Sequence, residues 1–305
     1  MIALAGIFSF AACGGGNNTA GGNTTGSGGG NGKAPDKIII TAIPDENSDA
    51  FKDHFKTIAK YIEGKVGIPC EYMHVENYAA AVTALANGQA HMSWMGGVTT
   101  VQADQQTKGE AVVVACRDTD KKFVTYFIAN KDAGVGEVKD LKELAGLSSN
   151  LSFTFGSKGS TSGHLMPRHF FTTQSGKKPE EAFKSVAYSG SHDKTMQQVA
   201  DGTHQIGALN YAVYERLKKE KPELAEKAPI IYKTPSYVDY CFVARKDLGD
   251  ELIGKVRAAL LELDPATEEG KKILGYWKAG KMVEADMSEW AGIKAVMESG
   301  VDIGG

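Results

Sequence analysis

From Lys37 onward the chain alternates short apolar runs with amphipathic ones, and that alternation leaves few folds open. KIIITAIP (37–44) has the composition of a buried strand closed by proline. Residues 48–64 put Phe51, Phe55, Ile58, Ala59 and Ile62 on one helical face and stop at a glycine. The pattern repeats with strand IPCEYMHV (68–75), helix 77–86 ended by Asn87-Gly88, strand HMSWMGG (91–97), helix 98–106 and strand AVVVACR (111–117). Such a βαβαβαβ series predicts an α/β fold with a mainly parallel sheet flanked by helices. A second series follows: strand 123–131, a short helix 138–145, strand LSFTFG (151–156) and a helix 163–174 with Pro167 near its first turns. Helix 179–183, strand 185–190, helix 195–200 and strand HQIGALN (204–210) complete it. YVDYCFVARK (237–246) is a further strand, and the remaining tail is mostly helical. ALANGQAHMSW (84–94) and QVADGTHQIGA (198–208) echo one another as helix, Asn/Asp-Gly turn and strand. The echo favours two similar α/β units; one larger sheet with recurring units is the alternative.

The segment richest in chemistry is Phe155-Gly-Ser-Lys-Gly-Ser-Thr-Ser-Gly163. A strand runs into it and a helix runs out of it. Three successive hydroxyls, Ser160, Thr161 and Ser162, are framed by glycines. A helix start has unpaired N–H groups and a partial positive charge. Glycine lets backbone approach a ligand closely, and hydroxyls add donors. Together they form a socket for a tetrahedral oxyanion; a Ser/Thr-capped turn without ligand is the plainer reading. A nucleotide P-loop needs lysine after the last glycine, where His164 stands. A hydrolase elbow needs serine at the centre of 159–163, where Thr161 stands. Downstream, Ser189-Gly-Ser-His192-Asp193 closes a strand before a helix; His192 is either a donor to an anion or an exposed residue beside a helix capped by Ser191 or Asp193. The formal net charge of −3 supplies no global attraction for nucleic acid or anionic membranes, so local geometry must hold any anion.

The N-terminus is an address. Residues 2–12 (IALAGIFSFAA) are too few to span a bilayer and match the apolar core of a secretory signal. Ala11-Ala12 before Cys13 resembles a bacterial lipoprotein signal, which implies lipid attachment at Cys13 after cleavage of residues 1–12. Ten of the 19 residues from 14 to 32 are glycine, a flexible tether in composition.

STSGHL (160–165), YSGSHDKTMQQVADG (188–202), NYAAAVTALANGQAHMSWMGG (77–97) and TPSYVDYCFVARKDL (234–248) resemble the phosphate/phosphite/phosphonate-binding proteins of ABC importers. The resemblance implies a two-lobed periplasmic-binding-protein-like clamp, with 37–127 plus 236–305 as the first lobe, 128–235 as the second and 13–36 as the lipidated linker. It implies that Ser160, Thr161, Ser162 and His192 grip the anion from the second lobe. Tyr78 reaches in from the first lobe, and Asp239 sits beside the ligand on the crossing strand. A carboxylate there accepts the proton of a monoprotonated anion and disfavours fully ionised sulfate. Relatives that take amine-bearing phosphonates carry an acid in the turn where this chain reads Asn210-Tyr-Ala-Val-Tyr214, with the first acid at Glu215. The expected ligand is therefore small: phosphite, phosphate or methylphosphonate. An ABC permease is the expected partner, with no nucleic acid, no cofactor and a monomeric state. The expected location is outside the cytoplasm, held to the membrane by lipid.

Two other functions have some basis in composition. A serine hydrolase would use Ser160, His192 and Asp239. A metal-ion receptor would share the lipoprotein signal and the two lobes, but His164 and His169 stand at i, i+5, poorly placed for one helical face. Trp277 and Trp290 read as core packing. Cys70, Cys116 and Cys241 are equally compatible with one disulfide or with buried thiols.

Overall fold

A computed structural model describes residues 35–301. The expected signal, the lipid site at Cys13 and nearly all of the glycine-rich linker lie outside the described residues. The strands assort into two sheets. The first contains β1 (Ile38–Ala42), β2 (Cys70–Met73), β3 (Met92–Met95), β4 (Ala111–Arg117), β10 (Cys241–Arg245) and β11 (Met282–Val283), in the order β11-β4-β10-β3-β1-β2. The second contains β5 (Thr125–Ala129), β6 (Ser152–Phe155), β7 (Ser185–Tyr188), β8 (Ile206–Asn210) and β9 (Ile230–Lys233), in the order β7-β6-β8-β5-β9. We call each sheet with its helices a lobe.

Each sheet is mixed, and for one reason. β1 pairs in parallel with β2 and β3, while β10 lies antiparallel between β3 and β4. β6 pairs in parallel with β7 and β8, while β5 runs antiparallel to both β8 and β9. In the second sheet β5 runs against the rest, and in the first β10 and the two-residue β11 do; β5 and β10 are the strands that enter directly from the other lobe. The chain crosses at 118–124 and returns at 234–240, and the crossings bond to each other through Phe123 and Tyr237 at 2.8 and 2.9 Å. The boundary placed after residue 127 falls inside β5, which pairs with β8 along its whole length. Strands β9 and β11 have no counterpart in the sequence reading. β11 has two residues, too short for a period to show.

Local chemistry sets the helix ends. Ser48 accepts the Phe51 N–H at 3.1 Å to open the helix Asp49–Val66. That helix runs past Gly64 because the left-handed turn it needs is supplied by Gly67, at φ 73°. Both faces of each sheet are covered. Ile38, Ile40, Phe51, Phe55 and Trp277 cluster on one side of the first sheet; Val98, Val113, Val243 and Trp290 cluster on the other. In the second sheet the neighbours Phe127 and Ile128 point into opposite clusters. Cys70, Cys116 and Cys241 are buried free thiols.

Beneath the first crossing lies a buried ion pair. Asp120 accepts from the Arg117 Nε, side-chain Nη2 and backbone N–H at 2.9, 2.6 and 2.9 Å. Trp94, Tyr240 and Trp277 surround the guanidinium at 4.9, 5.1 and 5.3 Å. The Asp120 carbonyl accepts the Asp239 N–H at 3.1 Å, so this pair also anchors the returning crossing.

Candidate ligand-binding site

The glycine-framed hydroxyls sit where the lobes meet. The helix opens earlier than the spacing predicts, with a π-helical turn at Thr161–Leu165 continuing into the α-helix Met166–Ser175. Ser160 is its N-cap, accepting the Gly163 N–H at 2.9 Å. The N–H groups of Thr161 and Ser162 have no acceptor among the described residues, as expected for an opening turn. Glycines are required here by crowding. A Cβ on Gly163 would stand 2.9 Å from both His192 Cε1 and Ser160 Oγ, and one on Gly159 3.1 Å from Tyr78 Cβ.

The first lobe supplies a second helix start facing the first. The helix Gly97–Gln106 donates its Gly97 N–H to Asp239 Oδ1 at 3.0 Å and its Val98 N–H to Thr161 Oγ1 at 2.9 Å. The second bond joins the lobes. Tyr78 opens the helix Tyr78–Ala86, capped by Asn77, and packs over the Gly159 backbone. Trp290 Nε1 donates to the Asp239 carbonyl at 2.6 Å, so this C-terminal tryptophan positions the site as well as filling core.

Tyr78, Ser160, Thr161, Ser162, His192 and Asp239 are each no more than 3% exposed. Several of their polar atoms lack a hydrogen-bond partner among the described residues: Tyr78 Oη, Ser162 Oγ and Asp239 Oδ2, together with Oδ1 of Asp45. Burying such atoms unpaired costs about 1–3 kcal/mol each, a strong indication that something polar belongs between them. Burial raises Asp239 to about 7, opposed by the bond from the Gly97 N–H. Burial likewise raises Asp45 to about 7, with Arg117 opposing. His192 is lowered by burial to about 4 and is neutral at pH 7. Its Nδ1 accepts the Asn210 N–H at 3.3 Å, which leaves the proton on Nε2, 3.3 Å from Tyr240 Oη. The site is thus lined by neutral donors, with acids at its edge.

Three contributors escaped the sequence reading. Tyr240 lies within the quoted YVDY run but faces His192 and the Asn210 Nδ2, the latter at 3.1 Å. Asn210 caps its helix and orients both neighbours. Asp45 follows Pro44 in a loop that carries no recognisable motif. Tyr214, on the helix that Asn210 caps, is engaged within the second lobe, where its hydroxyl donates to the Ala228 carbonyl at 3.2 Å. Glu215 accepts from Tyr126 at 3.4 Å. The Ser160–His192–Asp239 relay of a hydrolase is not assembled, since each member is bonded elsewhere. His164 is a structural residue, fixed by the Lys158 carbonyl at 2.7 Å and by Arg168 at 3.0 Å. Among the described residues no group of three His, Cys, Asp or Glu is placed to hold a metal.

Two α/β lobes joined by two crossings and meeting over buried donors define a solute-binding clamp. The family described as the phosphonate periplasmic substrate-binding protein of ABC transporters matches residues 40–290, and the chain belongs to that family. It is a binding component and not an enzyme. It is 34% identical over 266 residues to the ABC-transporter phosphite-binding protein PhnD1 of Prochlorococcus marinus, covering 86% of this chain and 89% of that one. The structure of that PhnD1 in complex with methylphosphonate superposes with a TM-score of 0.82, covering 87% of this chain and 98% of that one at 33% identity. The phosphate-import protein PhnD of Mycolicibacterium smegmatis is 24% identical over 232 residues, covering 73% of this chain and 70% of that one.

Proposed function

We propose that the protein captures a small phosphorus oxyanion, namely phosphite, phosphate or methylphosphonate, and presents it to a membrane permease. The observation that carries this reading is the cluster of buried polar groups from both lobes, with Tyr78 Oη, Ser162 Oγ and Asp239 Oδ2 lacking a partner among the described residues. The N–H groups of Thr161 and Ser162, the hydroxyls of Ser160, Thr161, Ser162 and Tyr78, and His192 Nε2 donate. Asp239 accepts. A ligand with several anionic oxygens and one hydroxyl matches that set, and fully ionised sulfate leaves Asp239 opposed by a like charge. Five to eight bonds of about 1.5–3 kcal/mol each give roughly 7.5–24 kcal/mol against the roughly 8 kcal/mol of micromolar binding, so all but the weakest set leaves a surplus to draw the lobes together. Cys13, lipidated, would hold the clamp at the outer face of the cell membrane near its permease; intact mass before and after Cys13→Ser tests that anchor.

Calorimetry with the three anions tests the ligand. Binding of at least one is expected, and no heat with any of them overturns the reading. Tighter binding of 2-aminoethylphosphonate than of methylphosphonate would overturn the small-ligand part and point to Asp45 as an ammonium partner. Thr161→Val and His192→Ala are each expected to weaken binding by about 1–3 kcal/mol without loss of fold. Gly163→Ala, which drives a methyl against His192 and Ser160, is expected to cost about 10- to 100-fold in affinity, roughly 1.4–2.8 kcal/mol of displaced contacts. Near-native affinity in that variant would mean the loop does not pack as described.

A further inference from the structure

Three consecutive first-lobe residues, Asp45-Glu46-Asn47, each bond to the second lobe. The Asp45 carbonyl accepts the His192 N–H at 2.9 Å. The Glu46 carboxylate pairs with the Arg216 guanidinium, on the helix Tyr211–Glu220. The Asn47 N–H donates to Asp193 Oδ1 at 3.3 Å. The ion pair at the centre is sheltered, its Arg216 and Glu46 side chains 12% and 5% exposed. Tyr276 walls it from the first lobe, donating its hydroxyl to Glu46 Oε1 at 3.2 Å while its ring lies 5.3 Å beneath the guanidinium. Tyr276 is itself stacked on His54 at 4.2 Å.

We propose that Glu46 and Arg216 form a clasp that sets how long the clamp holds its ligand. Both residues belong to closure and not to ligand contact. A buried ion pair is not automatically stabilising, because desolvation opposes it. Here most of the ordering is already done within each lobe. Glu46 is held by Tyr276, and Arg216 is held by Glu220 at 2.7 Å on its own helix. Closing brings two pre-oriented groups together, so the pair favours the closed state. Parting the lobes breaks all three bonds of the segment at once. A ligand enters and leaves only through the open state, so the clasp slows dissociation directly and slows association only by the fraction of ligand-free molecules it holds closed.

The ligand arm of the test rests on the binding function proposed above, so a second arm uses no ligand. In the first, release of bound methylphosphonate is followed by stopped flow in the full chain. Glu46→Gln is expected to speed release by about 10-fold, the effect of one lost charge-assisted bond, with association little changed. Arg216→Lys, which keeps the charge, is expected to retain most of the slow release. In the second arm, spin labels on exposed positions of the two lobes report their separation in the ligand-free protein, and Glu46→Gln is expected to shift the distribution to longer distances. If the wild type binds none of the phosphorus anions, the functional reading fails and the distance arm still decides the clasp. Unchanged release and unchanged distances overturn the proposal. So does slowed association with a lowered melting temperature, which would make Glu46 a folding residue.

Discussion

Asp239→Asn is expected to weaken binding of the phosphorus anion by about 100-fold near neutral pH, close to 2.7 kcal/mol. In the binding mode proposed above, the wild-type carboxyl shares one proton with the bound anion. It does so whether the anion arrives protonated or the carboxyl does. With the ligand-free Asp239 raised by burial to about 7, affinity holds while either partner carries the proton. It falls about tenfold per pH unit once the solution is above both ionisations, because one proton must then be taken up. Asparagine replaces the acceptor by a neutral amide, which removes the need for that proton. The variant is weaker at pH 7, and its decline at high pH is lost. Calorimetry from pH 6 to 9 separates the cases; equal slopes would place Asp239 away from the ligand. Stability carries the same signature. The folded carboxyl titrates near 7 and the unfolded one near 3.8, so the ligand-free fold holds the extra proton between them. Stability is then highest at the acid end of that interval and declines as pH rises through it.

Arg117→Met is expected to cost about 3–5 kcal/mol of stability, enough to lower the melting temperature by roughly 5–9 °C in a chain of this size. Asp120 is fully buried, and its carboxylate takes three bonds from Arg117. Removing the cation strands that charge. Methionine fills much of the same space among Trp94, Tyr240 and Trp277, so lost volume is a minor part of the cost. Arg117→Met with Asp120→Leu removes both charges and is expected to recover most of the loss, because paired removal leaves no orphan. Thermal melts of the single and double variants make the comparison. A double variant no better than the single one would show that the aromatic box needs the guanidinium itself.

The strand–helix alternation made the α/β class legible, because the periods of a strand and a helix differ enough to be read one segment at a time. The glycine-framed hydroxyl loop was legible for a similar reason. Glycines, hydroxyls and a helix start lie within nine residues, from Phe155 to Gly163. Tyr240, Asn210 and Asp45 were not legible as contributors. Each acts through neighbours more than 15 residues away in the chain, and none sits in a local pattern that differs from ordinary core, cap or turn. The direction of β5 and β10 was likewise hidden, since a strand's period does not record which neighbour it joins.

Sequence by itself determined which segments are strands and helices and where donor groups gather along one turn. Those are matters of local sterics and of hydrogen-bond groups that every helix start leaves open. Only the tertiary structure decided which donors share one enclosure and which acids stand beside them. It also decided that His192 is neutral and that Glu46 meets Arg216. Burial and long-range pairing set protonation and contact, and both come into being only when the two lobes close on each other.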